Sequence, residues 1–285
     1  MSSTQALCAA VLFSFAASCG SLPVKQDARL LEAGSGRVVA LEEAARELAT
    51  YDVIFLGELH DSREGHVLMT ELTALLLADH HAPVLSMEMF ERDVQDLATA
   101  YVDGRITREE FLAQSRPWGD FDVHYGPVVD MARERDWDLV AANCPRPAAR
   151  AIARGEHTPA TASVFASSDL DLAPGRYRAE FDAVMGGMGA GHGGPSLDPM
   201  YSAQVLKDET MAESIARLFA PDGGPWPRVV HWNGRFHSDF GLGTAERLAR
   251  RCPHVTIAVV TMERDGARAL ARSSDAPGLY VIEVP

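Results

Sequence analysis

An uncharged run, Val53-Ile54-Phe55-Leu56, gives way to Gly57-Glu58-Leu59-His60 and then to apolar residues at a longer spacing. A run with no polar alternation suits a strand buried on both faces. Val67, Leu68, Leu72, Leu75 and Leu76 recur at the spacing of one helix face. Asp61 is placed as the N-cap of that helix, with Glu64 at the third helical position in capping-box order. Upstream, Leu41 to Ala49 reads as a short helix, and Asp52 to Leu56 is the first strand.

The pattern then repeats. Pro83 to Met87 is a second strand ending at Glu88, Arg92 to Val102 is helical, and Asp103-Gly104 stops it. Thr107 and Glu110 form a capping box that opens a short helix through Phe111. Pro127 takes the first position of a helix running to about Arg135. Asp138 to Ala142 is the third strand, ending at Asn143, and a helix from about Arg146 stops at Gly155. Residues 156–175 fit no element, and the glycine-rich stretch Gly186 to Gly194 reads as a mobile loop. Asp198-Pro199 caps a long helix to about Phe219. Arg228 to Trp232, Val255 to Val260 and Leu279 to Val284 complete the strands, with the last placed at a sheet edge. Strands and helices in alternation predict an α/β fold: a mostly parallel central sheet flanked by helices, with a helical insertion at about residues 92–135.

The N-terminus breaks this pattern. Leu7 to Ala17 is uncharged and apolar, too short to span a bilayer but suited to the core of a signal peptide. Ala16-Ala17-Ser18-Cys19 follows and is similar to a bacterial lipoprotein cleavage box, with Cys19 as the lipidated residue. The expected organisation is a leader over 1–19, a polar tether over 20–37, and one domain over 38–285. Such a protein would sit in the bacterial cell envelope, anchored to a membrane by lipid. The 285 residues carry 40 acidic and 26 basic side chains, and no basic cluster offers a nucleic-acid surface. Of four cysteines, Cys8 and Cys19 belong to the leader, leaving Cys144 and Cys252 in the folded part; no C-x-x-C pair suggests a zinc cluster.

Ligands of open α/β sheets bind beyond the carboxyl ends of the strands. Here those ends carry Glu58 and His60, Glu88, Asn143, and Asn233 with His237 just beyond. Parallel strands would gather them on one rim. Glu58, His60, Glu88 and His237 are the strongest set. Two carboxylates and two imidazoles can hold one divalent metal, or His60 can act as a general base oriented by a carboxylate, or the four can form a buried hydrogen-bond network. No Walker loop, strand-linked dinucleotide fingerprint or Gly-x-Ser-x-Gly elbow is present.

Gly57-Glu58-Leu59-His60-Asp61 with His66, Met87-Glu88-Met89-Phe90 with Gln95, Pro117-Trp118, Tyr125-Gly126-Pro127 and Asn143-Cys144-Pro145-Arg146 together resemble the ChaN-like haem-binding lipoproteins. Gln204, Asp208, Met211 and Ala212, and then Gly234 to His237, extend the resemblance over roughly residues 38–262. It implies a surface or periplasm-facing lipoprotein of haem and iron uptake, with ferric haem held at a homodimer interface and a tyrosine able to ligate the iron. The wider superfamily also takes in Tiki proteins and erythromycin esterases, which implies a metal-dependent peptidase or esterase as the alternative, with Glu58, His60, Glu88 and His237 as its catalytic groups. Under the haem reading, Tyr125 is the first axial candidate, Tyr201 the second, and His192, flanked by glycines, the third. Arg146 and Arg235 are the candidates for the propionates. His66, in the first turn of its helix, faces either the same crevice or the packed side of the helix.

Overall fold

The computed structural model describes residues 28–156, 163–187, 196–219, 225–264 and 278–285. Residues 1–27, with the expected leader and Cys19, most of the glycine-rich stretch and His192 lie outside the described residues. The strands are β1 (Arg29–Glu32), β2 (Val53–Glu58), β3 (Pro83–Glu91), β4 (Asp138–Asn143), β5 (Arg228–Gly234), β6 (Ile257–Glu263) and β7 (Gly278–Glu283). They form one sheet in the order β1-β7-β6-β2-β5-β3-β4. Every pairing is parallel except the one between β1 and β7.

Strand β2 sits in the middle, with β5 and β6 on its two sides. Its side chains divide by parity, as the two-residue period of a strand requires. Ile54 and Leu56 pack into the larger core, against Leu72 and Leu76 of α2 (Arg63–Leu77) and Leu48 of α1 (Leu41–Leu48). Val53 and Phe55 face the opposite core, against Ala212 and Ile215 of one long helix and Leu248 of another. A strand buried on both faces has no polar side to advertise, which explains the unbroken apolar run.

Between β3 and β4 the chain forms α3 (Gln95–Val102), α4 (Arg108–Ser115), α5 (Phe121–His124) and α6 (Gly126–Glu134), the anticipated helical insertion. Thr107 and Glu110 make their reciprocal capping bonds at the start of α4. After β4 come α7 (Arg146–Ala153), α8 (Arg176–Gly187), α9 (Asp198–Ala216) and, after β5, α10 (Thr244–Arg251). Among the described residues no helix is long and apolar enough to cross a membrane.

Several elements differ from the expectation. β1 lies within the stretch read as a tether: Leu30 and Leu31 are buried against the sheet, and the strand pairs antiparallel with β7. β7 is therefore covered on its outer side rather than forming the edge. α8 and α10 were not anticipated. The cap of α2 is Ser62, whose hydroxyl accepts from the Gly65 N–H at 3.2 Å. Asp61 is left exposed and pairs instead with Arg264 at 2.7 Å. Cys144 and Cys252 are both buried and both free thiols.

Candidate functional site

The carboxyl ends of β2, β5 and β3 are neighbours in the sheet and share one rim. Glu58 pairs in register with Gly234, and the lack of a side chain there matters: a Cβ at Gly234 would meet His60 Cε1 at 2.9 Å. The ring of His60 thus folds back over the end of β5. A cavity of about 650 Å³ opens on this rim, and Glu58, His60, Glu88 and His237 all line it. Trp118, Phe236, Val184 and Leu242 give it an apolar wall. Its size lies within the usual range for small-molecule sites.

The four residues are neighbours that pair off in two groups. In the first, Glu58 is buried and its carboxylate accepts from three sides. His60 Nδ1 donates to Oε1, the Tyr125 hydroxyl donates to Oε1 at 3.3 Å, and His66 Nε2 donates to Oε2 at 3.1 Å. Burial alone would raise the pKa of this carboxyl, but the bonds from His60 and His66 lower it. His60 in return is raised, chiefly by its hydrogen bond to Glu58. Its side chain is 58% exposed and lies edge-on to Trp118 at 5.1 Å. With Nδ1 tied to Glu58, its Nε2 has no hydrogen-bond partner among the described residues. His66 packs between Tyr125 and Trp232, and its Nδ1 meets His124 Nδ1 at 2.8 Å.

In the second group His237 is buried between two carboxylates. Its Nε2 lies 3.2 Å from Glu88 Oε1 and its Nδ1 2.7 Å from Asp208 Oδ1. A ring with an acceptor on each nitrogen needs both protons, so this is an imidazolium. Burial would lower its pKa, but the charges of Glu88 and Asp208 outweigh burial and raise it to about 10. Glu88, pushed up by burial and down by His237, ends at about 2. Glu88 Oε2 also accepts the Gly234 N–H at 2.8 Å. Asp208, on α9, accepts in addition from Thr244 at 2.9 Å and from the Tyr177 hydroxyl at 2.5 Å.

The expected shared metal does not fit this arrangement. Each carboxylate is already engaged by an imidazole, and among the described residues no group of three or more metal-binding side chains is placed to hold an ion. The strand-end asparagines play a structural part. Asn143 donates to the Glu88 carbonyl at 3.0 Å, and Asn233 donates to Ser238 at 2.9 Å.

The other candidates are distributed differently from the expectation. Tyr125 is only 2% exposed, stands behind Glu58 and does not line the cavity. Burial first, and then Glu58, push its phenol far up. Tyr201 is buried among Tyr177, Phe181 and the Arg178 guanidinium. Arg146 pairs with Glu91 at 2.9 Å and is not on the cavity wall. Arg235 does line the cavity but is engaged by Asp239 and Glu263. The residues that sequence reasoning passed over are Asp208, as the second counter-charge to His237, and Lys207 beside it. Asp208 stood in the quoted motif, but nothing in the local pattern ties it to a histidine 29 positions away.

No curated protein matches the chain. A solved structure described as cofacial heme binding to ChaN of Campylobacter jejuni aligns with a TM-score of 0.66 at 18% identity, covering 91% of this chain and 97% of that one. At that identity the likeness speaks for the fold. The family described as haem-binding uptake, Tiki superfamily, ChaN matches residues 44–248, which include every residue of both hydrogen-bonded groups, and the chain belongs to that family.

Proposed function

We propose that this protein binds ferric haem in the rim cavity and serves haem or iron uptake from the bacterial envelope. The observation that carries the reading is His60: an imidazole open to the cavity, oriented by a buried carboxylate through Nδ1, with Nε2 free beside an apolar wall. Haem needs an axial donor and a broad apolar surface. A histidine whose far nitrogen is held by a carboxylate is the arrangement that fixes the tautomer and orientation of a metal-binding imidazole. Bound haem would supply a ferric iron with an axial position to fill. His60 would offer the donor atom, Glu58 would hold the ring, and Trp118 and Phe236 would cover the porphyrin.

The test is titration with ferric haem. A Soret band should develop, and His60→Ala should shift it and weaken binding by roughly tenfold or more. An unchanged spectrum in that variant would return the assignment to Tyr125, Tyr201 or His192.

Two further parts of the proposal concern assembly. The described relative binds haem cofacially, and we propose that this chain likewise forms a homodimer when loaded. Light scattering with and without haem should report a doubled mass. We also propose that Cys19 carries lipid and tethers the protein to a membrane, since small residues precede it after an apolar run. Cys19→Ala should move the protein from the membrane to the soluble fraction.

Hydrolysis is a second reading of the same pair, because an exposed imidazole held by a carboxylate also has the form of a general base. It requires turnover of an ester or peptide that His60→Ala abolishes.

A further inference from the structure

We infer that Lys207 is the carboxylate-holding cation of this site, and that the ligand's anionic arm lies against it, between the main cavity and a smaller one alongside. This inference rests on the haem reading and deepens it. Lys207 is half-buried on α9 and lines both the 650 Å³ cavity and an adjoining apolar one of about 270 Å³ formed by Phe181, Met185, Met200 and Ala203. Gln204, one turn earlier, lines both as well.

The chain has 26 basic residues, of which Lys25 and Lys207 are the lysines. Of the arginines near the site, Arg235 is committed to Asp239 and Glu263, Arg146 to Glu91, and Arg247 to Glu209 and Glu246, whereas Arg150 makes no ion pair among the described residues but lines only the smaller cavity. Among the described residues Lys207 makes no ion pair and no side-chain hydrogen bond. The nearby carboxylate of Glu88 is already held by His237 and the Gly234 N–H. The cavity's carboxylates, Glu58, Glu88, Glu180, Asp239 and Glu263, outnumber its cations, so an anionic arm is best placed against an uncommitted positive charge. A flat apolar molecule bearing flexible carboxylates, the chemistry of a porphyrin with propionate arms, satisfies both the aromatic wall and this ammonium.

Three probes separate the contributions: ferric haem, iron-free protoporphyrin with its carboxylates free, and the dimethyl ester of ferric haem. Binding is followed by absorbance and by quenching of tryptophan fluorescence. Lys207→Met should weaken the two free acids by on the order of tenfold, the usual scale of a charge-assisted bond. It should leave the ester unchanged, and Lys207→Arg should keep most of the affinity. Thermal melts of both variants confirm that they fold. Equal binding of ferric haem by Lys207→Met and the parent overturns the inference while leaving haem binding intact. Equal weakening of all three probes overturns it too, because Lys207 would then act only through the fold or through Glu88. Failure of the parent protein to bind any of the three removes the haem reading and this inference together.

Discussion

The two histidines of the rim carry the same chemistry in opposite surroundings. His60 leans on one carboxylate, with 58% of its side chain exposed and one nitrogen free. His237 is buried, 7% exposed, with a carboxylate on each nitrogen. The first has coordinating capacity to spare. The second has none, and its charge closes a buried network that joins β3, β5 and α9. A histidine–carboxylate pair is therefore not a function in itself. Whether it binds a ligand or braces a sheet depends on how many of its lone pairs and protons the fold has already used.

Stability should show the largest difference. His237→Ala strands Glu88 and Asp208 as uncompensated buried charges and should cost about 3–5 kcal/mol, lowering the melting temperature by on the order of 10 °C. His60→Ala removes an exposed partner from a carboxylate that keeps His66 and Tyr125, and should cost about 1 kcal/mol or less. Equal losses in thermal melts would erase the contrast.

The second effect concerns ligand. Glu58→Gln leaves His60 in place but loosens its orientation, and should weaken ferric haem by roughly 10–100-fold, read by absorbance titration.

Next comes pH. His237 is raised from 6.5 to about 10, so its contribution is complete below the unfolded value and fades as pH climbs through about 10. Glu88 is lowered from 4.5 to about 2, so its contribution is complete above the unfolded value and fades as pH falls through about 2. These are two flanks of one ion pair and count once. Melting temperature should fall between pH 7 and 10 in the parent, and His237→Gln should flatten that limb.

The smallest effect is expected at Tyr125. Tyr125→Phe removes one bond to Glu58, should cost about 1 kcal/mol, and should leave the ferric haem spectrum as it was. A changed spectrum would restore the tyrosine as an iron ligand.

The central sheet was legible because β2, β3 and β5 are buried on both faces and so write themselves as apolar runs ending in polar side chains. β1 was not: Arg29-Leu30-Leu31-Glu32 is short, flanked by charge, and a strand only because β7 pairs with it. α8 was obscured by the glycines at its end, and α10 by following a turn at Gly243, where φ is +58. The choice between Asp61 and Ser62 as cap turned on which side chain reaches the Gly65 N–H, a matter of angle that composition cannot express. Within the site, Glu58, His60, Glu88 and His237 were found from their expected places at or just past strand ends, although β3 runs on past Glu88 to Glu91. Their division into two pairs was not, because it depends on Asp208 from α9 and on the Gly234 gap. That Arg235 is spent and Lys207 is not is likewise a fact of three-dimensional pairing.

The register of Glu58 against Gly234 also bears on when this site comes into being. Its parts arrive from β2, β3, α9 and the turn after β5, and none of them meets another until the central strands have paired across long stretches of chain. Such distant pairings are the slow part of folding. The cavity is thus complete only once the central strands are paired. A ligand seated there is linked to closure of the whole sheet rather than to one loop. At a hundred times its dissociation constant it would stabilise the native state by about 2.7 kcal/mol, and slower amide exchange should appear along β2 and β5 as well as at the rim.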